Sequence, residues 1–173
     1  MSEFKPISSI PGYEEYTKYE IDINGTIRNG NGRILKWSSS NGYQRCTLYQ
    51  DNSNQKKILQ HRAIALLFIS NPRGCEYVDH INGITIDNRI ENLRWCSKAE
   101  NKYNSKIRCD NLTGHKHISK HEGRYWLIQI VYNGKKFQKR FRCEQDDTEP
   151  PAEVIIYRDE MVKSLHGEFA RIT

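Results

Sequence analysis

The chain has 173 residues and a mass of 20.4 kDa, room for one ordinary domain or two to three small modules and not for a large multidomain assembly. Lys and Arg number 27 against 21 Asp and Glu, a formal net charge of +6 with a pI near 9.0, which favours a polyanionic partner, either nucleic acid or an anionic membrane surface. The mean hydropathy of -0.82 is polar for a folded chain, 10% aromatic residues argue against disorder, and the longest apolar run, 63–69, is far short of the roughly 20 residues that cross a bilayer, so no membrane span is expected.

The opening residues, MSEFKP, lack the basic-then-apolar run of a secretory signal, so an intracellular, non-secreted protein is expected. From there to about residue 70 the chain reads as short strands broken by Asn24-Gly25, Asn29-Gly30, Asn31-Gly32 and Asn41-Gly42. Asn-Gly favours type I′ hairpin turns because both central residues need positive φ. Over 59–68 the apolar period changes to that of a helix, with Leu59, Ala63, Leu66 and Leu67 expected on its buried face, and Asn71-Pro72-Arg73-Gly74 stops it. Residues 77–80 read as a strand, Asn82-Gly83 as a turn and 93–96 as a second strand. Ser97 and Glu100 then have the spacing of a helix capping box, which places Asn101 in the opening turns of that helix. The polar stretch 102–113 reads as a linker.

The last segment alternates cleanly. Trp126, Ile128, Ile130 and Tyr132 fall on one face of a strand and Tyr125, Leu127, Gln129 and Val131 on the other; Asn133-Gly134 turns the chain into a second strand over 135–142. Pro150-Pro151 open a helix that Gly167 ends, with Val154, Tyr157, Met161, Val162 and Leu165 as its inward stripe. Charge is segregated here: residues 115–142 carry a net +7 and residues 143–173 a net -5, so a basic sheet backed by an acidic helix would present its positive face to phosphate. The five cysteines, 46, 75, 96, 109 and 143, are odd in number and contain no C-x-x-C pair, which points to buried reduced thiols and not to a zinc site or a disulfide framework.

Asp79, His80, Asn92 and Asn101 are the residues whose types suit phosphodiester chemistry. In-line cleavage needs a base to activate water, for which a histidine has the right unperturbed pKa, and a cation to stabilise charge on the phosphorane and the leaving oxygen. A carboxylate and an amide oxygen are hard donors suited to Mg²⁺, which takes few protein ligands. On residue types alone, an Asp-His strand end with two capping or turn-forming asparagines remains open as the alternative.

The stretch VDHINGITIDNRIENLRW at 78–95 closely resembles the HNH nuclease family in its phage and intron homing-endonuclease branch, through D-H-x-x-G, D-N-R-x-x-N-L-R-W and then a helical Asn. The resemblance implies an α+β, modular chain: a ββα-metal nuclease core over 73–108, a β-rich nuclease-associated domain over 1–72, and a three-stranded sheet plus helix over 109–173. It implies that Asp79 and Asn101 bind one Mg²⁺, with Mn²⁺ able to substitute and zinc not used, that His80 is the general base, and that Asn92 braces the loop orienting it. The function implied is a site-specific endonuclease on double-stranded DNA. With one such unit, a monomer nicks one strand, a dimer being the alternative arrangement; the competing reading is a non-catalytic DNA-binding regulator. The work would be done inside an infected or host cell, away from membranes.

Ile10-Pro11-Gly12-Tyr13, Asn24-Gly25, Asn41-Gly42-Tyr43 and His61-Arg62 resemble the nuclease-associated modular domain, which makes Lys36, Arg45, Lys56 and Lys57 candidate phosphate contacts and His61 structural. Gly123-Arg124-Tyr125-Trp126, Asn133-Gly134-Lys135 and residues 165–170 resemble the ethylene-response-factor (Apetala) type DNA-binding domain. That resemblance implies DNA contacts from Arg124, Gln129, Lys136, Gln138, Arg140 and Arg142, of which arginine and amide side chains can read base edges.

Overall fold

A computed structural model describes residues 3–51 and 54–172. Its fold is a mixture of small antiparallel sheets and few helices, and the chain divides into two compact units, Met1–Lys98 and Ala99–Thr173.

In the first unit, β1 (Phe4–Pro6), β2 (Tyr19–Asp22) and β3 (Ile27–Asn29) form one sheet in the order β1-β2-β3. A second contains β4 (Ser38–Ser40), β5 (Tyr43–Tyr49) and β6 (Gln55–Leu59). Helix α1 (Gln60–Phe68) follows β6 directly, and β7 (Tyr77–His80) pairs with β8 (Leu93–Cys96) as a two-stranded ribbon. Ile7, Ile21, Ile27, Leu48, Ile58 and Ile64 make one core with Leu93, and Val78 and Ile90 pack against it. The ribbon therefore shares its apolar core with the segment before residue 72, across the boundary expected at 72/73.

The turns show where Asn-Gly acts and where it does not. Asn41 and Gly42 both have positive φ (51° and 79°), the type I′ geometry that joins β4 to β5. At Asn24-Gly25 only the glycine does, at +80°, and the turn is held by Asp22, whose Oδ1 accepts N–H bonds from Asn24 and Thr26. Gly30 is not in the left-handed region at all; that four-residue loop closes on Asn29 Oδ1, which accepts from Asn31 and Arg33. An Asx side chain there replaces the two-residue turn that Asn29-Gly30 suggested.

Helix α1 is rotated from the expected register. His61, Ala63, Ile64 and Ala65 are buried, whereas Leu66 is 40% exposed. Packing against β2, β5, β6, β7 and β8 covers the helix on most sides, leaving Leu66 on the residual outer stripe with the longer Arg62. A period count cannot choose among so many apolar positions. The chain leaves the helix through Asn71, whose side chain donates to and accepts from the Cys75 backbone, as the stop signal predicted.

In the second unit, β9 (Ile118–His121), β10 (Tyr125–Tyr132) and β11 (Lys135–Arg142) form an antiparallel sheet in the order β11-β10-β9. Type I′ turns at Glu122-Gly123 and Asn133-Gly134 join the strands. Helix α3 (Ala152–His166) packs on β10. The core is Ile118, Trp126, Ile128, Ile130, Val154 and Val162, with Phe141, Tyr157, Met161 and Leu165 against it, so the predicted faces of β10 and α3 do meet. Arg158 is buried, 1% exposed, and its Nη1 donates to the Lys116 carbonyl at 2.5 Å. No helix among the described residues is long and apolar enough to cross a membrane.

Candidate active site

Asp79 and His80 are successive residues of β7 and are both buried, each 5% exposed. Successive side chains on a strand point to opposite faces, and these two go to different partners. Asp79 stands opposite Arg94 in the β7–β8 register, and Arg94 donates Nε–H and Nη2–H to Asp79 Oδ2 at 2.9 and 2.8 Å. The side chains of this ion pair are 6% and 13% exposed, so solvent screens it little.

His80 lies against the N-terminal turn of α1. Its ring centroid is 5.1 Å from that of His61 and 6.2 Å from that of Tyr43, and its Nε2 is 2.9 Å from Asn88 Oδ1. Asn88 Nδ2 donates to Gln60 Oε1 at 2.7 Å, and Gln60 Nε2 donates to the Gly25 carbonyl at 3.2 Å. Burial, with the charges of His80 and Arg62 adding to it, pushes the His61 pKa down to about 4, and among the described residues its Nδ1 has no hydrogen-bond partner. His61 therefore packs edge-on against His80 as a neutral ring.

Residues 81–92 link the strands as a loop tied to itself. Asn92 Oδ1 accepts the Asn82 N–H at 3.0 Å, while Asn92 Nδ2 donates to Asn82 Oδ1 at 3.0 Å and to the Asp87 carbonyl at 2.7 Å. Asn92 is 6% exposed, and its own carbonyl accepts from Ile81, the residue after His80. Asp87 accepts from Asn82 and from Arg89, whose hydrogen bonds to it hold the Asp87 carboxyl well below the usual carboxylate range.

Of the candidate residues, Asp79, His80 and Asn92 thus sit on the β7–β8 ribbon and its loop. Asn101 stands half-buried on α2 (Lys98–Tyr103), the helix that starts right after Ser97. Among the described residues, no three His, Cys, Asp or Glu side chains gather into a metal-holding group. By type alone, the Asp79 carboxylate and the Asn101 amide oxygen are hard donors of the kind that Mg²⁺ takes.

The candidate phosphate contacts of the first unit divide. Lys57 is exposed and Arg45 half-exposed, and strand alternation puts both on the outer face of the second sheet, away from Cys46 and Ile58. Lys36 is exposed before β4. Lys56 lies on the core side, where its ammonium donates to the Gly12 carbonyl and sits 4.4 Å from the centre of the Tyr13 ring. In the second unit, Gln129, Lys136, Gln138, Arg140 and Arg142 are exposed on the sheet face opposite α3, with Gln138 donating to Gln129 at 2.8 Å and Arg140 4.9 Å from the Tyr125 ring centre. Arg124 is exposed at the β9–β10 turn.

Sequence reasoning missed Gln60, Asn88 and Arg94. Arg94 had a usable signal, since an Arg across a hairpin from a strand Asp is the natural counter-ion, but a twelve-residue loop hides the register. Asn88 lay inside the D-N-R string and was passed over. Gln60 carried no signal, because its partners are 28 and 35 residues away.

The HNH endonuclease family profile matches residues 61–103, from the start of α1 through α2. Two mimivirus (Acanthamoeba polyphaga mimivirus) proteins, named Uncharacterized HNH endonuclease L245 and L247, are 37% identical over 87 residues and 40% identical over 93. These stretches are 50% and 51% of this chain but 26% and 23% of those proteins, so the chain spans about a quarter of the length of these relatives. Protein 3.8 of Escherichia phage T7 is 33% identical over 101 residues, 58% of this chain and 77% of that protein. Among solved structures, one described as DNA binding and cleavage by the HNH homing endonuclease I-HmuI aligns over 79% of this chain and 77% of that one, at 22% identity and a TM-score of 0.49.

Proposed function

Because this chain belongs to the HNH endonuclease family, we propose that it is a site-specific DNA endonuclease that nicks one strand, with His80 as the general base. The observation that carries the reading is His80 itself: a buried imidazole on a strand end, packed against the touching rings of His61 and Tyr43, with Nε2 hydrogen-bonded to Asn88 and followed by a loop pinned through Asn92. A ring held on these sides is already oriented when a water is presented to it, which favours proton transfer.

In this reading Asp79 and Asn101, both assigned from the motif, would hold a divalent cation. The cation, Mg²⁺ with Mn²⁺ as substitute, would supply charge stabilisation at the phosphate and the leaving oxygen. His80 takes a proton from water, the resulting hydroxide forms the new P–O bond, the P–O3′ bond breaks, and the leaving O3′ takes a proton from solvent water, leaving a 5′-phosphate and a 3′-hydroxyl. Arg94 holds the Asp79 carboxylate in place from across the ribbon. Asn92 keeps the loop after His80 closed.

DNA docking is proposed to use the outward-facing basic side chains: Lys57, half-exposed Arg45 and Lys36 on the first unit, and Arg124, Lys136, Arg140 and Arg142 with the Gln129–Gln138 pair on the second. The local +7 of residues 115–142 supports this, because phosphate contacts supply most of non-specific affinity. A monomer is proposed, since one active unit is present per chain. Lys56 is left out, its ammonium being held at Gly12.

The test is a supercoiled plasmid carrying the DNA that flanks the reading frame. Open circles in Mg²⁺ or Mn²⁺, and none in EDTA, are expected. Linear product as the first species would overturn the nicking assignment, and an intact plasmid bound in a gel shift would favour the regulator.

A further inference from the structure

The hydrogen bonds around His80 have a direction, and that direction fixes which nitrogen of the ring is basic. The Gly25 carbonyl can only accept, so Gln60 must turn its Nε2 amide toward it and its Oε1 toward Asn88. Oε1 in turn can only accept, so Asn88 presents Nδ2 to Gln60 and is left with Oδ1 facing His80 Nε2 at 2.9 Å. A carbonyl oxygen requires a proton on the nitrogen that meets it. The backbone at Gly25 thus sets the orientation of two amides that would each otherwise be ambiguous by a flip.

We propose that Gln60 and Asn88 are positioning residues that hold His80 in its Nε2–H tautomer, so that Nδ1 is the nitrogen that acts as base. Gln60 reaches the Gly25 carbonyl only because residue 25 has no side chain: a Cβ built there would lie 2.3 Å from Gln60 Nε2, and φ is +80°. Trp37 Nε1 donates to the same carbonyl at 2.7 Å, which fixes the anchor in space. The outer side of the two amides lines a cleft with Asn24, Asp87 and Arg89. Without Gln60, water from that cleft could satisfy Asn88 in either orientation, and both tautomers of His80 would be populated. The tautomer stands on geometry alone; its consequence for rate rests on the reading of His80 as the base.

Two-bond ¹H–¹⁵N correlations of the full chain labelled at histidine, recorded at pH 8 and assigned with His80→Gln, report the tautomer directly. A single Nε2–H form is expected in the natural sequence and a mixture in Gln60→Leu. Gln60→Leu should also slow plasmid nicking by about tenfold at unchanged DNA binding, a fraction of the roughly 10²–10⁴-fold that a general base is worth. An Nδ1–H form in the natural sequence overturns the proposal without any variant, and so does a single Nε2–H form in a folded Gln60→Leu. Nicking retained by His80→Ala would instead remove the base assignment and leave the tautomer result standing.

Discussion

Replacing Arg94 by methionine removes the counter-ion of a carboxylate whose side chain is 6% exposed, and keeps most of the apolar stem that packs along the ribbon. Two hydrogen bonds, at 2.9 and 2.8 Å, disappear with the guanidinium. Leaving one member of a buried pair alone costs about 3–5 kcal/mol, mostly as the desolvation of the remaining charge, whereas replacing both by apolar groups is often near neutral. Arg94→Met is therefore expected to destabilise the first unit by about 3–5 kcal/mol, and Asp79→Leu with Arg94→Met by less than about 1.5 kcal/mol. Native-state hydrogen exchange of the β7 and β8 amides reads this unit separately from the second. A single variant that loses less than about 1 kcal/mol, the scale of an exposed pair, would refute the assignment of Arg94 as the counter-ion that Asp79 requires.

Asn92→Ala removes three side-chain hydrogen bonds from the loop and is expected to cost about 2–4 kcal/mol at about 1 kcal/mol each, with the Asn82 amide losing its protection from exchange; retained protection at Asn82 would contradict the brace. The buried His61, with its pKa pushed down to about 4, resists protonation in the folded state while the unfolded chain takes a proton near pH 6.5. Stability should thus be unaffected above about pH 6.5, fall by up to about 3 kcal/mol between there and pH 4, and level off below, and a ¹H titration should find His61 neutral at pH 5.5. Arg140→Ala with Arg142→Ala should lower DNA affinity and reduce the slope of log K against log salt by about 2; an unchanged slope would take the open face of the second sheet out of the DNA contact.

What was legible in the sequence is what local chemistry determines. Two-residue turns at Asn41-Gly42 and Asn133-Gly134, the strands at 77–80 and 93–96 and the stripe on α3 depend on near neighbours, and each is where the pattern put it. The ribbon's partners were not legible. The outward turn of Leu66 was hidden because α1 offers apolar residues on nearly every side, and the contact of the Lys56 ammonium with Tyr13 was hidden because Tyr13 lies 43 residues earlier. At the candidate site the D-H and N-L-R-W strings located the ribbon, but Gln60 and Gly25 enter only when the fold brings a helix start and a turn glycine beside Asn88.

The measurement that bears most directly on the central claim is single-turnover nicking by His80→Ala, with DNA affinity measured in parallel. The account predicts a rate lower by about 10²–10⁴-fold in saturating Mg²⁺ with the dissociation constant for the same duplex unchanged. Nicking at the natural rate by that variant would contradict it.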